Sequence, residues 1–209
     1  MSHARRFAGL IQDLPQTGAA LIFAKRVHAG QVRKVDGAPF VRHPIEVAEL
    51  LYDAEAPDHL IAAGLLHDVV EKTEVTAADL SEAFGPQISH LVLVVSEDET
   101  ITDYGKRKAL LRRQVGHAGD EALLLFAADK VSKLRELRAE YFRPETPRGR
   151  RVTHYRRCLQ MLQQRLPDEW LVAQMRIEFE ALPGEAPAPA PAAYKSVRPP
   201  STANVSPVT

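Results

Sequence analysis

The chain has a single cysteine, Cys158, so no disulfide can form within it. That fits a reducing compartment, and the expected location is the cytoplasm. Cys158 lies in a helical pattern without a nearby base, so it is expected to pack rather than to act as a nucleophile. Long apolar runs are also missing: none approaches the roughly 18 residues that would span a bilayer. The N-terminal MSHARRFAGLIQDLPQ has arginines, but Gln12 and Asp13 break its short apolar stretch, so it does not make a signal peptide. A soluble chain with no membrane partner is expected. An excess of charge of either sign is absent as well, with 27 basic and 27 acidic side chains. A neutral total gives no reason to expect nucleic acid as a main partner. No fixed-period repeat is visible. Composition leaves self-association open.

At 209 residues the chain suits one domain with a tail and can bury a substantial core. The composition changes near Pro183, where PGEAPAPAPAAYKSVRPPSTANVSPVT begins. Such a stretch cannot bury enough surface to offset its ordering entropy, so 1–182 is expected to form the domain and 183–209 a disordered tail. Before the tail, apolar residues recur at helical spacing. Helices are expected over 16–30, 43–54, 57–73, 76–85, 86–97, 104–119, 120–141, 152–166 and 168–182. Thr76 and Asp79 form a capping-box-like start, and Gly85 a stop. The long segment DEALLLFAADKVSKLRELRAEY carries Leu123, Phe126, Ala127, Val131, Leu134 and Leu137 on one broad face. The class is all-α, a bundle-like single domain. Residues 30–44, GQVRKVDGAPFVRHP, hold two glycines, two prolines and an Asp-Gly pair, and read as a loop running into His43.

The segment AGLLHDVVEKTE raises the chemical question. It sets His67, Asp68 and Glu71 in a run that otherwise reads as core, where a carboxylate is costly unless paired or bound to a metal. Glu71 is four residues after His67 and three after Asp68, so all three can face one cavity. Two further residues qualify as partners: His43, at a helix start after the loop, and Asp129, flanked by apolar residues in LLLFAADKVSKL. His43, His67, Asp68 and Asp129 make a two-nitrogen, two-oxygen set. Mixed imidazole and carboxylate ligation suits manganese, iron or zinc better than calcium, and the lack of thiolate argues against a structural zinc. Each residue also has a purely structural reading. His67 can hydrogen-bond within the core, Asp129 can pair with Lys130 or Lys133, and His43 can cap its helix.

The order of HAGQVRKVDGAPFVRHPIEVAELL, AAGLLHDVVEKTEVTAADLSEAFGPQISHLV, RKALL and AADKVSKLREL resembles the RelA/SpoT-type HD hydrolase domain, in particular the small stand-alone alarmone hydrolases. The resemblance covers roughly residues 18–182. It implies an HD-domain helical bundle without a following synthetase domain. It also implies a divalent ion, usually manganese, and removal of pyrophosphate from the 3′ position of ppGpp or pppGpp. By the same resemblance His43, His67, Asp68 and Asp129 are the expected metal ligands, and Glu71 handles the attacking water. Arg33 and Lys34 hold the nucleotide.

Two positions depart from the family's pattern. It usually reads Glu-Asp where this chain has Glu71-Lys72, and has asparagine where this chain has Lys133. Both lysines follow a carboxylate by one turn and are expected at the cavity rim, Lys72 as a catalytic residue with Glu71 and Lys133 on substrate phosphate. They bind a more highly charged substrate, or weaken metal binding and leave a nucleotide-binding regulator, or point to solvent. A third option is an HD phosphohydrolase of another small phosphoester. The KRK run at 106–108 reads equally as a phosphate contact and as a solvated face. His28, His90, His117 and His154 read as core or surface histidines.

Overall fold

The computed structural model describes residues 13–140 and 149–184. Among the described residues the regular structure is helical, with one isolated bridge between Val32 and Pro39. The expected all-α class is what is found. Most of the tail assigned to 183–209 lies outside the described residues, as do residues 1–12 and 141–148.

The helices are α1 (Pro15–Val27), α2 (Arg42–Asp53), α3 (Asp58–Leu66), α4 (Val69–Lys72), α5 (Ala77–Val95), α6 (Tyr104–His117), α7 (Asp120–Glu140), α8 (Gly149–Arg165) and α9 (Trp170–Glu180). Helix α3 is the hub. Every residue from Leu60 to Leu66 is buried, and a helix with no polar face must be covered all round. The cover comes from α1, α2, α5 and α7. Gly64 sets how closely α2 can approach. A Cβ there would lie 2.7 Å from Leu51 Cδ1 and 3.4 Å from the Ala48 backbone. That approach brings the start of α2, with His43, beside the end of α3, with His67.

Helix ends are satisfied locally and across the bundle. Asp58, at the start of α3, accepts the backbone N–H of Gln16 at 3.0 Å and of Thr17 at 2.9 Å, and so caps α1 from another helix. Thr76 and Asp79 form the expected capping box on α5. The two helices expected over 76–85 and 86–97 are both present within α5, separated by non-helical backbone at Gly85. The φ of 82° at that residue is open to glycine, and Pro86 follows.

Helix α7 carries the apolar face read from its sequence, with Leu123, Phe126, Ala127, Val131, Leu134 and Leu137 all buried. Emptying the Phe126 site would cost about 3–5 kcal/mol through lost transfer energy and the cavity left behind. Helices α2, α5, α8 and α9 pack around α7, which places Asp129 opposite His43 and the α3 terminus.

The expected helix over 57–73 is divided. α3 ends at Leu66, α4 begins at Val69, and His67 and Asp68 form the step between them. Asp68, with φ −97° and ψ −4°, has left regular helical geometry for the sparsely allowed bridge region. On an unbroken helix adjacent side chains diverge by about 100°. At this step Asp68 Oδ2 comes within 3.5 Å of His67 Nε2.

Candidate metal centre

Four side chains from three segments remote in sequence converge in the interior. His43 Nε2 and His67 Nε2 are 3.1 Å apart. Asp68 Oδ2 lies 3.5 Å from each of them, and Asp129 Oδ1 lies 3.3 Å from His43 and 3.6 Å from His67. All four residues are buried. These are the four residues the sequence marked as candidate ligands, and the fold brings them together.

The location of the protons decides what this cluster can hold. His67 Nδ1 is 2.8 Å from the Gly64 carbonyl, which only accepts, so the ring proton is on Nδ1. His43 Nδ1 is 2.9 Å from Ser132 Oγ. Ser132 has one proton and donates it to Glu46 Oε2 at 2.8 Å, while Arg135 Nη1 donates to Glu46 Oε1 at 2.8 Å. Ser132 Oγ must therefore accept from His43, whose proton is also on Nδ1. Both Nε2 atoms then point lone pairs at each other. Asp68 Oδ2 and Asp129 Oδ1 are buried and have no hydrogen-bond donor. The acceptor atoms of His43, His67 and Asp129 lie within 4.8 Å of one another, with Asp68 Oδ2 against the two imidazoles, and such a set fits a cation.

The electrostatics agree. Burial pushes the Asp129 carboxyl up, but the Lys130 ammonium and the two imidazoles hold it well below the usual carboxylate range. Burial also opposes the charge of Asp68, which His67, Lys133 and His43 nevertheless keep low. Burial and then Lys133 lower His43. Burial disfavours a charge on His67, but Asp68 and Asp129 outweigh it and raise that imidazole. A second proton on His67 would sit on Nε2, at the point of convergence. The cluster calls for one positive centre there, which a proton or a metal ion can provide.

Glu71 does not join the four. Its Oε1 accepts the Glu97 backbone N–H at 2.5 Å, and its Oε2 faces Lys72 Nζ at 3.5 Å. Burial and the charge of Asp68 raise its carboxyl. A cavity of about 510 Å³, to which Glu136 and Glu140 also contribute, is not lined by the cluster itself but shares with it Lys133, whose charge acts on Asp68 and His43. Arg33, Lys34, Lys72 and Lys133 line it, with Phe40 on its wall. Arg33 and Lys34 are presented by the 30–41 loop, which folds back through Arg33 N–H to Ala38 O at 2.8 Å and Phe40 N–H to Gln31 O at 2.9 Å. Arg33 is braced by Asp36 and by Glu136 at 3.4 Å. Lys133 lies 5.9 Å from the Phe40 ring centre and 3.9 Å from Glu136. Its charge is raised by Asp68 and Asp129 against the cost of burial. It stands between the cavity and the four converging groups.

Ser132 and Glu46 escaped the reading of the sequence. The available signal was spacing: each follows a candidate ligand, Asp129 or His43, by three residues on the same helix. The KRK run divides its roles. Lys108 and Arg107 both pair with Glu97, and neither lines the cavity. Cys158 does have a base beside it, contrary to expectation: His154, one turn earlier, is 3.5 Å from Sγ. The thiol stays inert all the same. Burial pushes it up to about 11, and burial with Lys130, Lys108 and Arg112 pushes His154 down to about 2.

A family profile described as an HD domain matches residues 20–155. The human guanosine-3′,5′-bis(diphosphate) 3′-pyrophosphohydrolase MESH1 is 40% identical over 118 residues, covering 55% of this chain and 65% of that protein. The Danio rerio protein of the same name is 35% identical over 139 residues, covering 64% and 74%. A GTP pyrophosphokinase of Myxococcus xanthus is 41% identical over 80 residues, covering 38% of this chain. The chain thus spans just under two thirds of the human relative and a tenth of the Myxococcus one. A solved structure described as a metazoan ortholog of SpoT that hydrolyzes ppGpp superposes with a TM-score of 0.68 at 25% identity, covering 79% of this chain and 94% of that one.

Proposed function

The chain belongs to the HD domain family, and from that premise we propose that it is a metal-dependent phosphohydrolase of the cytoplasm that removes pyrophosphate from the 3′ position of ppGpp or a related nucleotide, with manganese as its ion. The observation that carries this reading is the convergence of His43 Nε2, His67 Nε2 and Asp129 Oδ1 within 4.8 Å of one another, with Asp68 Oδ2 3.5 Å from each imidazole and both carboxylate oxygens lacking a donor, near a cavity to which Arg33, Lys34, Lys72 and Lys133 contribute. The relatives named for ppGpp hydrolysis support the choice of substrate.

When bound, a divalent ion supplies Lewis-acid charge and acidifies water near neutral pH. The protein's own groups do the rest. Arg33 offers a fork that matches phosphate oxygens, and Lys34 and Lys72 add point charges. Lys133 reaches the phosphoryl group nearest the centre, where charge stabilisation matters most. Glu71 Oε1 is held by the Glu97 N–H, so Oε2, with Lys72 Nζ 3.5 Å away, is the oxygen that orients the attacking water and takes its proton. Its raised carboxyl makes it a better base for that step. The overall reaction converts ppGpp and water to GDP and pyrophosphate.

Incubation of the purified protein with Mn²⁺ and ppGpp is expected to give GDP and pyrophosphate in equal amounts, and EDTA to stop it. Absence of turnover in a metal-loaded protein would defeat the proposal. Asp68→Ala should lose both metal and activity.

The placement of Lys133 favours a second reading, a nucleotide-binding regulator on the same scaffold, because its charge acts against a cation at His43. The double change Lys72→Asp and Lys133→Asn separates the two. Hydrolysis gained over an inactive parent supports the regulator, while nucleotide binding lost from an active parent supports lysines that hold substrate.

A further inference from the structure

The four converging groups have a support that runs away from the cavity. Ser132, fully buried on α7, bridges His43 Nδ1 and Glu46 Oε2. Glu46 is fixed by Arg135. Arg135 also donates Nε to Glu178 Oε1 at 2.8 Å, and Arg138 donates to Glu178 Oε2 at 2.6 Å. Glu178 is a buried carboxylate of α9. One chain of hydrogen bonds therefore runs from α9 to the imidazole of His43, with each donor and acceptor assigned.

We infer that Glu46 and Ser132 are positioning residues that hold His43 in the Nδ1–H tautomer, so that its Nε2 lone pair faces the centre, and that α9 anchors this setting through Arg135. The consequence for metal affinity rests on the metal-dependent reading above; the tautomer does not. The direction of the chain comes from its ends. A carboxylate paired with a guanidinium only accepts, so the Ser132 proton must go to Glu46, and the hydroxyl oxygen can then only accept from His43. Groups that orient a ligating imidazole in this way typically set metal affinity by about 10–100-fold.

Glu46→Gln is the decisive variant because it keeps the shape and reverses the chain. With the amide oxygen on Arg135, the amide N–H₂ donates to Ser132 Oγ. Ser132 then donates to His43 Nδ1, which moves the ring proton to Nε2 and points it into the centre. Two measurements test this. Long-range ¹H–¹⁵N spectra of ¹⁵N-histidine protein, free of metal at pH 8 and assigned with His43→Asn, should show Nδ1–H for His43 in the wild type and Nε2–H in Glu46→Gln. Calorimetric titration with Mn²⁺ should show affinity reduced about 10–100-fold in Glu46→Gln and in Ser132→Ala.

Ser132→Ala with Glu46→Gln should bind no worse than Ser132→Ala alone, because the chain is already cut; two structural defects would add. An Nε2–H tautomer in the wild type, an unchanged tautomer in Glu46→Gln, or additive losses in the double variant each overturn the inference. A wild type that shows Nδ1–H but binds no Mn²⁺ upholds the positioning and defeats the metal-dependent reading instead.

Discussion

The two sides of α7 hold two buried polar clusters, and they differ in whether they balance. On one side Asp129 Oδ1 faces His43, His67 and Asp68, where lone pairs outnumber protons and two carboxylate oxygens lack a donor. On the other side Lys130, the next residue, donates to Asp129 Oδ2 and lies 4.3 Å from the Phe126 ring centre. Its neighbours there include Tyr155, His154 and Cys158, with Arg112 donating to His154 at 2.8 Å. Both clusters are rich in titratable groups. Only the first has a deficit that a ligand would correct. A buried imidazole or thiol is weak evidence of a site, whereas a set of acceptors without donors is strong evidence.

Asp129 belongs to both clusters, which allows the largest test. Asp129→Asn should abolish Mn²⁺ binding and also strand the buried Lys130 ammonium, at a cost of about 3–5 kcal/mol. Asp68→Asn should abolish binding equally but cost clearly less, because neutral His43 and His67 leave no unpaired buried charge, whereas Lys130 keeps its ammonium. Urea unfolding in EDTA, paired with metal titration, separates the two variants. Equal stability losses would erase the distinction between the clusters.

A smaller effect concerns pH. His154 is held at about 2 in the fold, while the unfolded chain takes up its proton near 6.5. Below that value the unfolded state binds more protons, so stability falls as pH falls and levels off above about 7. One such group amounts to about 2 kcal/mol between pH 7 and pH 5. His154→Gln should flatten the stability profile by one proton over that window. A His154→Gln profile parallel to that of the wild type over that window would show that His154 is not held neutral in the fold.

The smallest effect is expected at Cys158. Alanine there should cost about 1 kcal/mol and leave turnover unchanged, as for a packing residue. A thiol pushed up to about 11 inside the bundle should resist alkylation of the folded protein at neutral pH. Rapid labelling of the native state would show the balanced side of α7 to be open.

Periodicity and local chemistry already determined much of the protein. The spacing of apolar residues in 120–140, the capping box at Thr76 and the loop running into His43 are local properties, and each element formed where its residues required it. Residue type raised the four converging groups as candidates, because a carboxylate amid apolar neighbours needs a partner and an imidazole can be one, and the family resemblance gave them their roles. Tertiary structure decided the rest, for reasons of geometry at long separation. Only the close approach of α2 to α3 at Gly64 sets His43 against His67. Only the step at Asp68 lets neighbouring side chains share a direction, and only the packing of α2 on α7 delivers Glu46 to Ser132. The direction of a proton depends on what lies across the interface, and no single segment carries that information.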